Sequence, residues 1–209
     1  SQDNYATVQK TTMILLERLS RVLGIDNHND QNFADLQSLL CSTLQVVIRK
    51  MTPEDAPKIA DPIMNATVQM LDYGSKFFFL LFSSLISDFF FYFFLVKTGL
   101  MNDDALLIAT TLAETIGDEF LKYMPSFQQY LLRGLKTYEI PQLCSVSIGV
   151  VSDLSQSLAE KIAPFSNDIM TALMEVLANE VPQKIKTEVL SVFGDIAMNI
   201  GEHFKPYLH

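Results

Sequence analysis

The stretch IGDEFLKYM at 116–124 returns as LAEKIAPFS at 158–166 and again as IGEHFKPYL at 200–208. The step from 116 to 158 equals the step from 158 to 200, and neither needs a gap. In register stand Ile116, Leu158 and Ile200; Gly117, Ala159 and Gly201; Phe120, Ile162 and Phe204; and Tyr123, Phe165 and Tyr207. Upstream the agreement continues through Leu112, Leu154 and Ile196 and through Ile108, Val150 and Val192. Small residues at 117, 159 and 201 predict a sharp turn between two helices, with the flanking apolar positions packing each pair on its neighbour. One such pair cannot bury its apolar face alone, whereas a stack of pairs can.

A period of about 42 residues with two helices per unit falls in the HEAT/armadillo range. The expected fold is therefore all α: a HEAT-repeat superhelix, a right-handed solenoid of helix hairpins. The rest of the chain reads in the same way. Segment 8–23 places Val8, Met13, Leu16, Leu19, Val22 and Leu23 on one helical stripe, closed by Gly24. A second helix is expected over 33–50, with Arg49 and Lys50 suiting its negative end. Thr52-Pro53 reads as a capping hydroxyl followed by proline at the first helical position. Pro57 and Pro62 then predict a bend or break in the helix that follows. Further helices are expected over DALLIATTLAETIG, FLKYMPSFQQYLLRGLKTY, the stretches opened by Pro141 and Pro182, and PFSNDIMTALMEVLANE, with a last one beginning at HFKPYLH.

One block breaks the pattern. APKIADPI at 56–63 resembles AEKIAPFS at 159–166, yet the step from Ile59 to Phe120 is nearly half as long again as that from Phe120 to Ile162. The excess coincides with KFFFLLFSSLISDFFFYFFLVK at 76–97, which divides the chain into repeats at 1–75, the anomalous insertion, and repeats at 98–209. Phe77 to Val96 is long enough to cross a bilayer as a helix. Asp88 near its middle costs roughly 3 kcal/mol on insertion scales, and a span there would place one half of a continuous stack on each side of a membrane. Phe, Leu, Ser, Ile, Tyr and Val are also the residues that uridine-rich RNA encodes. Ser75-Lys76-Phe77 can be written AGT AAG TTT, holding a splice-donor GTAAGT, and Phe94-Leu95-Val96 can be written TTC TTA GTT, ending in an acceptor AG. The piece between is a whole number of codons, so its removal keeps the reading frame. This pattern favours a retained intron, with a genuine apolar insertion and a membrane span as the alternatives.

A net charge of −9 argues against nucleic acid and favours basic partners through steering. Cys41 and Cys144 lack a CxxC spacing and a nearby histidine, so both read as buried thiols of a reducing compartment. No basic and apolar leader opens the sequence, and its start at Ser1 reads as a piece of something longer. His28, His203 and His209 have no partners at metal-ligand spacing, and no GxxxxGK[ST] or GxGxxG occurs. The sequence therefore suggests no enzyme, metal or cofactor. Asp168, Glu175 and Asn179, at i, i+7 and i+11, share one face of a second helix, and Glu180 extends its acidic end. They read either as a solvated face or as a wall that meets Lys and Arg of a partner.

YATVQKTTMILLERLSRVL, FADLQSLLCSTLQVVIRK, GDEFLKYMPSF and LSVFGDIAMNIGEHFKPYL resemble the central-to-C-terminal repeats of the importin-β (karyopherin) family of nuclear import receptors. The similarity covers the chain apart from 76–97, where the family has a short glycine-containing loop. It implies a flexible superhelix that binds the basic segment of the importin-α adaptor, or basic cargo signals, along an acidic wall. It also implies contact with FG nucleoporins between repeats, release by Ran-GTP, and residence in the cytoplasm, the nucleus and the nuclear envelope at the pore. The family's N-terminal Ran-binding repeats have no counterpart here, and with no tryptophan the chain lacks the residues that grip the adaptor helix. Two other classes stay open: a HEAT scaffold of the phosphatase type, and, if the phenylalanine block inserts, a membrane-bound helical protein.

Overall fold

A computed structural model of the chain describes residues 2–23, 31–82 and 103–207. The elements are α1 (Gln2–Leu23), α2 (Gln31–Arg49), α3 (Pro57–Phe82), α4 (Asp103–Ile116), α5 (Met124–Lys136), α6 (Pro141–Leu158), α7 (Ala163–Ala178) and α8 (Gln183–Ile200). Three 3₁₀ turns follow α4, α6 and α8, at Gly117–Lys122, Ala159–Ile162 and Gly201–Tyr207. No strand occurs among the described residues, in keeping with the all-α HEAT-repeat reading. The chain forms two compact units, Ser1–Thr115 and Ile116–His209.

In the second unit α6 lies along α8 and α5 along α7, while α6 also packs on α5. First helices of successive hairpins are thus neighbours, and so are second helices. The repeat register explains the core. Ile116, Leu158 and Ile200 each end a first helix and are buried, as are Val150 and Val192 and again Leu154 and Ile196; their counterparts Ile108 and Leu112 are buried within the first unit. Phe120 and Phe127 are both fully buried, with ring centroids 5.9 Å apart in an edge-on arrangement, and Tyr123 stands 5.7 Å from Phe120. Burying each such aromatic removes enough apolar surface to contribute about 2–3 kcal/mol.

The turn after each first helix uses an unusual backbone conformation. Gly117 and Gly201 have φ of 54° and 53°, and Ala159, their counterpart, has φ of 46° with ψ of −134°. Glycine enters this region freely; for an L side chain it costs about 1–3 kcal/mol. Prolines then open the helices where a missing N–H is harmless: Pro125, Pro141 and Pro164 occupy the first two positions of α5, α6 and α7.

In the first unit α1 packs on α2 and α3. Leu15, Leu16, Leu19 and Val22 meet a core that includes Leu40, Leu44, Ile48, Ile59, Ile63 and Leu71. Lys58 stands 4.9 Å over the Tyr5 ring and 2.7 Å from Asp55. That contact with Asp55 holds the Asp55 carboxyl below its ordinary range and the lysine above its own.

Several boundaries differ from those the sequence suggests. Residues 53–56 form a turn rather than a first helical turn, with the Asp55 and Ala56 amides donating to the Thr52 carbonyl at 3.1 and 3.0 Å. The helix begins at Pro57, where its ring suits the first position, and continues through Pro62 without a break. Phe120 to Lys122 belong to the 3₁₀ turn, so the α-helix starts only at Met124, next to Pro125. The stretch expected as a last helix is 3₁₀ over Gly201–Tyr207. The phenylalanine block from residue 83 onward lies outside the described residues; up to Phe82 it continues α3. Among the described residues no helix is long and apolar enough to cross a membrane.

Candidate functional site

Alongside bonds within single helices, six polar side-chain pairs among the described residues of the second unit reach about one repeat along the chain, and they bear on what its surface offers a partner. On the first helices, the Ser145 hydroxyl donates to Glu188 at 2.7 Å and the Ser152 hydroxyl donates to Asp195 at 2.6 Å, each pair 43 residues apart. At the turns, Lys161 forms an ion pair with Asp118, again 43 residues away. On the second helices, Gln128 donates to Asp168 at 3.0 Å, and Lys136 stands 3.1 Å from Glu175. Ser166 and Tyr207 share a hydrogen bond of 3.2 Å. The hydroxyl–carboxylate pairs are half-buried, whereas the ion pairs are open to water. Exposed ion pairs contribute about 0–1 kcal/mol each and weaken with salt.

Asp168 and Glu175 do lie on one edge of α7, as their spacing suggests, and that edge faces α5. Asn179 follows α7, and its side-chain amide donates to the Glu175 carbonyl at 2.7 Å, closing the helix end. Glu180 stands exposed beyond it. The row is not a free acidic wall, because Gln128 and the positively charged Lys136 of α5 already engage it. Sequence spacing found these carboxylates but not their partners. The signal for the partners was the repeat period itself, read for polar pairs close to one period apart as well as for apolar matches.

In the first unit Ser38 of α2 hydrogen-bonds Asp104 of α4. Burial, then Asp103, push the Asp104 carboxyl above its ordinary range, and the Ser38 bond opposes them. Cys41 is buried beside the same carboxylates, and desolvation first, then Asp104 and Asp103, push its thiol up to about 12. Burial, then Glu188 and Glu139, push Cys144 up to about 11. Neither thiol is a nucleophile in this state. Among the described residues no group of three metal-ligating side chains converges.

A family model described as "Importin subunit beta-1-like, TPR repeats" matches residues 1–94 and 94–209. The chain belongs to the importin-β family. Importin subunit beta-1 of Arabidopsis thaliana is 34% identical over 186 residues, covering 88% of this chain and 19% of that protein. The Schizosaccharomyces pombe importin subunit beta-1 is 31% identical over 194 residues, covering 92% of this chain and 20% of the relative. A crystal structure of importin beta in an ammonium sulfate condition superposes with a TM-score of 0.79 at 29% identity, covering 100% of this chain and 22% of the other. A second structure, whose description states that Kap95p binding switches the loops of RanGDP to the GTP-bound conformation, superposes with a TM-score of 0.64 at 26% identity, covering 98% of this chain and 22% of the other. This importin-β chain therefore spans about a fifth of the length of the curated relatives it matches. Its period is that of HEAT hairpins, about 40–47 residues, rather than the roughly 34 residues of a tetratricopeptide unit.

Proposed function

We propose that the chain is the part of a nuclear transport receptor that holds the importin-α adaptor, or a basic cargo signal, against its second-helix face. It acts by binding and flexing, not by covalent chemistry. The observation that carries this reading is the row formed by Asp168 and Glu175 on α7, set by the hairpin stack of a chain in the importin-β family. A basic partner gains Asp168 and Glu175 by displacing Gln128 and Lys136, both weakly held at an exposed surface. Asn179 and Glu180 extend the contact at the end of the helix. The whole receptor, on this reading, also binds Ran-GTP and FG nucleoporins and moves between cytoplasm and nucleus through the pore.

The test uses the full-length receptor carrying Asp168→Lys and Glu175→Lys. Affinity for the basic importin-α segment is expected to fall about tenfold or more at low salt, the difference shrinking as salt is raised. Unchanged affinity at low salt overturns the second-helix assignment. Pull-down of the same receptor with GTP-locked Ran and with FG peptides separates a transport receptor from a phosphatase-type scaffold, which takes neither.

A further inference from the structure

Of the three equivalent turns, two are glycine and one is not. Ala159 adopts φ 46° and ψ −134°, close to the φ 53° and ψ −121° of Gly201. Its Cβ is therefore held in a region that L residues avoid. The 3₁₀ turn it opens, Ala159–Ile162, is also the shortest of the three described: four residues against six and seven. No side-chain cap supports it, and the Ala159 amide donates to the Ser155 carbonyl behind it. A strained, exposed turn of this kind persists only when its surroundings hold it in place.

Two polar contacts flank it. Lys161 reaches back to Asp118 in the preceding turn. Ser166, in the first turn of α7, shares its hydrogen bond with Tyr207 in the following turn. The middle hairpin is thus tied to both neighbours close to its strained position. Of the two ties, Asp118–Lys161 is the weaker-founded one, with both side chains more than half exposed, while Ser166 is buried.

We propose that the Ala159 turn is a strained joint latched by the Asp118–Lys161 ion pair, so that separating the pair loosens the turn between α6 and α7. With the latch closed, Lys161 ties the 3₁₀ segment to the preceding turn and keeps Ala159 at positive φ. With the latch open, residue 159 can leave positive φ, and the released strain offsets part of the loss of the 3₁₀ hydrogen bonds. A cationic group of a bound partner that takes Asp118 would open it. The turns at Gly117 and Gly201 carry no such strain, which makes the middle hairpin the one that responds.

Amide hydrogen exchange over residues 159–163 of the intact chain tests this with three variants. Ala159→Gly removes the strain and is expected to slow exchange there about fivefold. Lys161→Ala is expected to speed exchange about threefold when residue 159 is alanine and by less than about 1.5-fold when it is glycine. Asp118→Ala should reproduce the Lys161→Ala pattern, separating loss of the ion pair from loss of the lysine stem. Equal effects of Lys161→Ala in both backgrounds, or faster exchange in Ala159→Gly, would overturn the proposal.

Discussion

Ser152 donates its hydroxyl hydrogen to Asp195 at 2.6 Å, across one repeat period plus one further position. Ser145 and Glu188 keep the same interval two helical turns earlier. On the second helices the partners fall short of the period, at 40 residues for Gln128–Asp168 and 39 for Lys136–Glu175. First and second helices run in opposite directions, so both offsets displace each hairpin the same way, away from its turn. At about 1.5 Å of rise per residue the displacement is a few ångströms. One common stagger of the hairpins thus brings both sets of polar pairs together.

Ser152→Ala should cost about 1 kcal/mol, since it leaves a half-buried carboxylate without its donor. A double-mutant cycle with Asp195→Ala in urea unfolding should return a coupling of about 0.5–1 kcal/mol. A coupling of zero means that the pair contributes nothing to holding α6 on α8.

Phe120→Ala removes a fully buried ring that meets Tyr123 and Phe127 edge-on. The cost should be about 3–5 kcal/mol, the range for emptying an aromatic site in a packed core. Phe204, its repeat equivalent, is only half-buried here, so Phe204→Ala should cost under half as much. Equal melting shifts for the two variants count against the register.

Gly201→Ala isolates the conformational term. A Cβ built at Gly201 meets nothing within 4 Å, so no clash contributes. The positive φ alone should cost about 1–2 kcal/mol. A variant as stable as the parent in thermal melts argues that the turn adapts freely, and weakens the strain assigned to Ala159 as well.

Raised thiol pKa values make a kinetic prediction. With Cys144 near 11 and Cys41 near 12, thiolate at pH 8 amounts to about one part in a thousand and one in ten thousand. A disulfide reagent should leave the folded chain unmodified at pH 8 and modify both cysteines in urea. Fast reaction without denaturant shows that one of the helices opens readily.

The phenylalanine block at 76–97 is tested at the level of the message. The Ser38–Asp104 bond is the first-unit counterpart of the hydroxyl–carboxylate pairs, yet its partners lie about half as far apart again in sequence as Ser152 and Asp195. The excess is close to the length of chain between the donor and acceptor sequences, and we propose that this length is an addition to the repeat. Mature transcripts are expected to lack it. A majority of messages retaining the segment sinks the intron reading; carbonate extraction of membranes then distinguishes an insertion from a span.

The repeat was legible because packing imposes itself on sequence at a fixed period. Ile116, Leu158 and Ile200 must each end a helix against the next, so only apolar residues serve, and the small residue that follows must turn the chain. Helix starts were less legible. Thr52-Pro53 carries the chemistry of a helix start, yet the chain makes a turn over 53–56 first. Pro125, not Phe120, marks where α5 begins, because the 3₁₀ segment must finish its reversal before proline can open an α-helix.

Apolar periodicity in the residues sufficed to specify the hairpins, their length and the seam between them, since burial depends on which face a residue occupies and little on its partner's identity. Three-dimensional packing alone settled which polar groups meet. Asp168 and Glu175 look like free acidic residues in one dimension, and they turn out to face Gln128 and Lys136 across a repeat. Hydrogen bonds and ion pairs act only over the last few ångströms, so the stagger of one hairpin on the next determines each pairing.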